Sequence, residues 1–292
     1  MNPFAGIGHM LREPFIAHAL LAGTFIALAS GLVGFFVVLR RQVFAGDALS
    51  HVAFTGAVAA LAIGVDVRAG LFIACVGFAL ALAGLGRATT SGRVDDVVIG
   101  SSFAWILGLG VLFLTLYTTS RSAGGDGKAG VSVLFGSIFG LSASQAYVAA
   151  AIGIAVAAAL CGIARPLLFA SIDEPVAAAR GVPVRLLSAA FLVLLALTAA
   201  EATQAVGSLL LLGLLAAPAG AAHRLTVRPF RALLLSAAFA VASVWIGISI
   251  AYAAPSLPPS FAIMTAATAI FAGSYAISWI RRPRLHAPEF AH

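Results

Sequence analysis

The amino-acid sequence predicts an all-α polytopic membrane protein with eight or nine membrane-spanning helices. Of its 292 residues, 62% are hydrophobic and only 9% are charged, whereas about a quarter of the residues in a soluble domain are charged. The apolar residues form runs as long as a bilayer is thick, unlike the short alternating segments of an outer-membrane barrel. The formal net charge is +7, but no solvated basic domain accompanies it, so we expect membrane lipid and no nucleic acid as a partner.

The apolar runs place a transmembrane domain at residues 15–279, between an N-terminal segment 1–14 and a tail 280–292. The first run lacks a small-residue cleavage site before its end, so we expect it to remain as a span. The N-terminal segment has apolar residues at near-helical spacing. This pattern fits an external interfacial helix and a frayed terminus equally well.

One run, 186–222, is too long for a single crossing. The polar residues Glu201, Thr203 and Gln204 near its middle divide it into spans 6 and 7, and another division would leave eight spans in all. The predicted spans are 15–39, 44–64, 69–86, 97–117, 145–164, the two halves of 186–222, 232–253 and 261–279.

Several shorter stretches connect the spans. Asp66 and Arg68 mark a tight turn between spans 2 and 3. Residues 118–130 are polar and glycine-rich, which predicts a flexible loop. Residues 131–141 are apolar but too few to cross a bilayer, so we expect a re-entrant or interfacial piece.

The basic residues predict the orientation of the chain. If the N-terminus is external, only Arg12, Arg68, Arg121 and Lys128 lie outside. The excess of basic residues on the cytoplasmic side then follows the positive-inside rule. The C-terminus is then cytoplasmic. The basic residues assigned to the cytoplasmic side are Arg40, Arg41, Arg87, Arg93, Arg165, Arg180, Arg185, Arg224, Arg228, Arg231, Arg281, Arg282 and Arg284.

Asp47 and His51 are the first candidates for chemistry, because they lie four residues apart and so share one face of span 2. Ionisable residues within a span are costly and usually functional. A carboxylate and an imidazole are zinc ligands, whereas manganese favours oxygen more strongly. Two ligands are too few for a tight structural site, but they suit a transient transport site. In the alternative interpretation, Asp47 is the N-cap of span 2 and His51 is a buried, satisfied histidine.

A second candidate is the segment around 165–185, which breaks the apolar pattern on the cytoplasmic side. Its charges, alanines and flanking prolines indicate a short helix along the membrane surface that could dock into a partner. An ordinary solvated loop is the alternative. Glu201 is a third candidate: it is an external turn residue if a span ends there, and it faces the transport pathway if the helix continues.

No phosphate-binding GxxxxGK[ST] loop is present in the sequence. We therefore expect that the chain is not an enzyme, and that any ATP hydrolysis belongs to another subunit.

Four sequence elements stand out together: Val37–Arg41 with Phe44–His51, Leu134–Ser137, Asp173–Arg185, and Val206–Gly207 through Pro218–Ala219. Taken together, they resemble the permease subunits of the manganese/zinc/iron ABC transporters, the ABC-3 type. The resemblance covers about 15–279, although Asp-Glu-Pro replaces the family's usual Asp-Pro-Glu and residues 219–222 contain no threonine.

The resemblance implies a type II ABC importer-like permease in the bacterial plasma (inner) membrane. It implies a homodimer, two copies of a cytoplasmic ATP-binding subunit that hydrolyse ATP, and an extracytoplasmic metal-binding protein. Asp47 and His51 would contact the transported ion, zinc before manganese or iron, with no permanently bound cofactor. The residues implied in ATPase coupling are Asp173, Glu174, Ala177, Arg180, Gly181 and Pro183.

Two other classes remain open at this stage. An ion-coupled secondary metal transporter would work without an ATPase, but it would need more buried acids than Asp47 and Glu201. A membrane-embedded metalloenzyme would need a fuller ligand set within the spans.

Overall fold

The computed structural model describes residues 13–86, 96–121 and 133–281, which are almost entirely helical. The predicted N-terminal segment, the loop 118–130 and the tail 280–292 lie largely outside these residues. Numbered in chain order, the described helices are α1 (Pro14–Leu39), α2 (Val43–Ile63), α3 (Val67–Gly86), α4 (Asp96–Arg121), α5 (Ala143–Ile172), α6 (Glu174–Ala179), α7 (Val184–Val206), α8 (Leu211–Leu225), α9 (Pro229–Ala253) and α10 (Pro259–Arg281).

The long helices form a bundle with two ends that are named here by the turns they contain. At the Arg40 end, α1 is joined to α2, and at the Arg68 end, α2 is joined to α3. Helix α7 runs between these ends. Near its start, Ser188 accepts a hydrogen bond from Arg40, and near its end, Glu201 pairs with Arg68.

Eight of the described helices, α1–α5, α7, α9 and α10, are long and apolar enough to span a membrane. Helix α8 has 15 residues, so at ~1.5 Å per residue it is shorter than the ~30 Å hydrocarbon core. It nevertheless carries the chain from the Arg68 end towards the Arg40 end, where His223 Nε2 lies 3.2 Å from the carbonyl oxygen of Phe35. The described chain therefore makes nine passes, of which α8 is the short one.

The apolar piece before α5 does not cross the bundle. Residues 133–135 form a helical turn and Ile138–Gly140 a 3-10 turn, and both lie at the Arg68 end. The Ser137 N–H donates to Gln204 O (3.1 Å), and the Ser208 N–H donates to Val133 O (3.3 Å). These bonds satisfy backbone groups that lipid cannot satisfy, as irregular backbone at membrane depth requires. The contacts agree with the re-entrant interpretation of 131–141.

Helix α1 lies at the centre of the bundle, where it packs against α5, α7, α8 and α9. Small residues allow this close packing, as is common between membrane helices. A Cβ on Gly31 would lie 2.6 Å from Ala237 Cα in α9, so the two helices meet backbone to backbone. By contrast, α4 packs mainly on α2 and exposes most of its surface.

Two predicted boundaries are wrong. The span predicted to end at residue 164 instead continues as α5 to Ile172, with Pro166 inside the helix. The run 186–222 does not divide at Glu201–Gln204: α7 continues to Val206, and the break falls at Gly207, whose φ is 95°. Polarity suggested the earlier position, but the backbone breaks where a glycine can adopt a positive φ.

Candidate metal-transit site and coupling segment

Asp47 and His51 lie on the second and third turns of α2, close to the Arg40 end. The His51 Nε2 and Asp47 Oδ1 atoms are 3.9 Å apart, and the two side chains are 19% and 31% exposed. This distance is too long for a direct hydrogen bond. It is shorter than a zinc–nitrogen bond plus a zinc–oxygen bond, about 4.2 Å in total, so a single ion can contact both atoms.

The structure excludes the interpretation of Asp47 as an N-cap. Helix α2 begins at Val43, its N-cap is Gln42, and no side chain caps it. Asp47 therefore lies within the helix, where its backbone carbonyl accepts a 2.6 Å hydrogen bond from Ser50 Oγ. Its carboxylate makes no hydrogen bond to another described residue, so both oxygens are available to a ligand.

The packing around the pair holds one side of it and leaves the other side open. Phe103 of α4 meets the His51 ring edge to face at 5.2 Å, and it also contacts Phe44. Leu49 is buried in the core on the opposite face of α2, and Ala48 is buried beside the pair. His51 is thus positioned by a ring contact and is not enclosed in the core, contrary to the alternative of a buried, satisfied histidine.

No group of three or more potential metal-ligating His, Cys, Asp or Glu side chains occurs among the described residues. Two ligand side chains alone would hold an ion only loosely. Weak binding is what a transported ion requires, because it must also leave.

The predicted coupling segment contains the short helix α6, between the end of α5 and the start of α7. Asp173 is its N-cap, and the Val176 N–H donates to Asp173 Oδ1 (3.1 Å). Gly181, with φ 80°, makes the turn after it. The sequence therefore correctly predicted a short helix in this segment, although residues 165–172 belong to α5.

The six predicted coupling residues do not all face outwards. Ala177 is fully buried and packs with Ala170 and Val184, so it holds α6 in place and cannot touch a partner. Arg180 and Pro183 are exposed. The sequence prediction missed three exposed apolar side chains on and beside α6, which are Ile172, Val176 and Leu186.

Glu201 is not a turn residue, because α7 extends beyond it to Val206. Its side chain is buried and accepts a hydrogen bond from Arg68 Nη2 of α3. Arg68, Thr203 and Gln204 border a cavity of about 350 Å³ at the Arg68 end. The sequence showed both charges but not that they pair, since 133 residues separate them.

A buried arginine lies at the opposite end, where the sequence indicated only that it marks the orientation of the chain. Arg40 is 4% exposed, donates to Ser188 Oγ at 2.7 Å, and lies 5.3 Å from the centre of the Phe191 ring. A basic residue directly after a span is ordinarily taken as a topology marker. No signal in the sequence distinguishes this buried arginine from its exposed neighbour Arg41.

Comparison with known proteins gives a match over nearly the whole chain. The sequence profile of the ABC 3 transport family matches residues 12–278. The manganese transport system membrane protein MntC of Halalkalibacterium halodurans is 33% identical over 240 residues, which are 82% of this chain and 79% of that protein. The probable iron transport system membrane protein of Haemophilus influenzae is 26% identical, covering 83% of this chain and 86% of that one.

Solved structures show the same fold. A chain of PsaBC from Streptococcus pneumoniae in complex with Fab superposes with a TM-score of 0.78 at 25% identity, over 93% of this chain and 95% of that chain. A putative metal-chelate type ABC transporter in an inward-facing conformation gives a TM-score of 0.60 at 19% identity, over 93% and 88% of the two chains. The second likeness concerns the fold alone.

Proposed function

The chain belongs to the ABC 3 transport family, and we propose that it is the permease of an ATP-driven importer that passes a divalent transition-metal ion across Asp47 and His51. Permease subunits of this family are not themselves enzymes. The observation that carries the proposal is the partly exposed carboxylate–imidazole pair, whose 3.9 Å separation lets one ion contact both groups.

Manganese is the first candidate ion, with zinc and iron after it. The relatives' names favour manganese and, in one case, iron, and they give no support to the preference for zinc drawn from the sequence. The single imidazole still suits zinc, while the carboxylate suits manganese. The remaining ligands decide between them, and we propose that a second copy of the chain or water supplies these.

The Arg40 end is proposed to be cytoplasmic. Nine of the eleven arginines in the described part of the chain lie at this end, and only Arg68 and Arg121 lie at the other. This excess of arginines at one end supports the positive-inside orientation, in which the C-terminus lies on the cytoplasmic side of the plasma membrane. Asp47 is then about 6 Å along α2 from its cytoplasmic start, at ~1.5 Å per residue, so the site lies on the inner side of the bilayer.

The transport cycle follows from these positions. An extracytoplasmic metal-binding protein delivers the ion at the Arg68 end. Two copies of the permease then enclose the pathway across the membrane. Two cytoplasmic ATP-binding subunits dock against α6 and the exposed residues Val176 and Arg180. ATP binding and hydrolysis move α6, and the ion that has rested on Asp47 and His51 is released to the cytoplasm.

The test is metal uptake by proteoliposomes that contain the permease with its ATPase and binding protein. Asp47→Ala and His51→Ala are expected to reduce manganese uptake at least about tenfold, since each removes one of two ligands. ATPase association should be unchanged in both variants. Competition with zinc and iron in the wild type then identifies the preferred ion.

His18→Ala and Glu13→Gln are matched controls, because they change a histidine and an acid that lie away from the pair and do not line the cavity at the Arg68 end. Wild-type uptake in both Asp47→Ala and His51→Ala would overturn the site. Uptake by the permease alone, without the ATPase, would instead support a secondary transporter.

A further inference from the structure

Arg40 is buried where α1 ends, and its contacts join two parts of the molecule that the proposed function treats separately. Its guanidinium donates to Ser188 Oγ at 2.7 Å and lies over the Phe191 ring. Both partners belong to the first turns of α7. A buried arginine is costly unless it is bonded, and these contacts stabilise Arg40 at the junction.

On one side of Arg40, backbone hydrogen bonds and a buried cluster join α6 to the start of α7. The Val182 N–H donates to Ala177 O (3.0 Å) and the Val184 N–H donates to Val182 O (2.8 Å). Ala177 and Val184 are also packed together with Ala170 in a buried cluster. A displacement of α6 must therefore displace the first turns of α7, including Ser188.

On the other side, Arg40 belongs to the tight turn that leads into α2. The Arg40 N–H donates to Phe36 O and the Gln42 N–H donates to Val37 O, both at 2.8 Å. Arg41, with φ 56°, completes the turn. Asp47 follows one turn after the start of α2, so movement of this turn changes the position of the carboxylate.

We infer that Arg40 is a positioning residue that transmits displacement of α6 to the metal-binding pair through its bond to Ser188. The inference rests on the proposed function, which assigns ATPase contact to α6 and ion contact to Asp47 and His51. Helices α2 and α7 also touch directly, for example where Gly46 faces Leu195, but apolar surfaces can slide past each other. A charge-assisted hydrogen bond has a preferred distance and direction, so it keeps the two elements in register.

The experiment compares three variants of the permease assembled with its ATPase and binding protein in proteoliposomes. Arg40→Met keeps the length of the side chain and removes the donor, whereas Ser188→Ala removes only the acceptor hydroxyl. Arg41→Gln is the matched control, because it removes the same charge from the exposed neighbour in the same turn. Complex yield, ATP hydrolysis and metal ions transported per ATP are measured for each.

Arg40→Met removes the charged hydrogen bond to Ser188 together with the guanidinium's other contacts, including Phe191, so we expect about a tenfold fall in ions transported per ATP. Ser188→Ala removes that bond alone, and we expect about a threefold fall. Complex yield and ATP hydrolysis should stay within about twofold of wild type, and Arg41→Gln should transport normally. A merely structural arginine would lower complex yield and leave the ratio of ions to ATP unchanged.

An unchanged number of ions transported per ATP in Ser188→Ala overturns the inference. If Arg40→Met does not assemble, the result for Ser188→Ala decides the question. Val176→Asp, on the exposed face of α6, separates this failure from failure of the proposed function. If Val176→Asp still binds the ATPase normally, the proposed ATPase contact at α6 is wrong, whatever the Arg40 variants show.

Discussion

Each end of the bundle contains a pair of ionisable side chains within an apolar stretch, and the two pairs are arranged in opposite ways. At the Arg68 end, Arg68 and Glu201 come from different helices, and the Glu201 side chain is only 4% exposed. At the Arg40 end, Asp47 and His51 share one helix, are 3.9 Å apart and remain partly exposed. The first pair satisfies itself, whereas the second leaves its ligand atoms available.

The difference shows that position in a span does not by itself identify a functional acid. Burial of a charge is tolerated when a partner neutralises it, and Arg68 is that partner for Glu201. A place for Glu201 on the transport pathway stays a prediction. Its contacts in the structure are those of a residue that joins α3 to α7. Among the described residues no arginine or lysine pairs with Asp47, and the proposed ion binding would account for its presence in a span.

The largest expected effect is at the backbone crossing beside the Arg68–Glu201 pair. Gly207→Ala places a Cβ in steric overlap with the Leu134 carbonyl oxygen, well inside van der Waals contact distance, at a residue whose φ is 95°. We expect a loss of about 4 kcal/mol or more of stability, because neither backbone can move without breaking its hydrogen bonds. Size-exclusion profiles and apparent Tm in detergent measure the loss.

Gly162→Ala is the control, since nothing lies within 4 Å of a Cβ at that helical position. It should be neutral or slightly stabilising. A monodisperse Gly207→Ala protein with the wild-type Tm would show that the Arg68 end is less tightly constrained than its contacts indicate.

The next effect comes from separating the Arg68–Glu201 pair. Arg68→Met leaves the buried Glu201 carboxylate without its partner, which is expected to cost about 3–5 kcal/mol. Replacing both residues, as Arg68→Met with Glu201→Leu, should recover most of this loss. The measurement is the apparent Tm of Arg68→Met, of Glu201→Leu and of the double variant.

A double variant as unstable as Arg68→Met would mean that the arginine acts through other contacts. If neither single variant changed the apparent Tm, the pair would not hold α3 to α7, and the contrast between the two ends would fail.

The smallest effect on stability is expected at the other pair. Asp47→Ala and His51→Ala should change stability by about 1 kcal/mol or less, as for exposed ion pairs. The same variants are expected to lose metal uptake, so stability and transport separate at this site. A fall in apparent Tm as large as that of Arg68→Met would show that the pair is structural.

Much of the fold could be predicted from the sequence because a bilayer imposes one length on every apolar helix. Most span boundaries were placed within a few residues, and α6 was expected from its prolines and alanines. Asp47 and His51 were predicted to share a helix face from their spacing alone, and the structure confirms that they do. The predicted end of α5 was wrong, because the helix continues through Arg165 and Pro166 into the apolar residues 167–170 and ends only at Ile172.

The sequence by itself determined the membrane architecture and the local pair, since hydropathy and helical periodicity act over short distances along the chain. Tertiary structure decided which charges meet. It placed Arg68 on Glu201 and Arg40 on Ser188, and it broke the 186–222 run at Gly207 where residues 133–137 cross it. These contacts join residues far apart in sequence, and only the packing of whole helices brings their side chains within bonding distance.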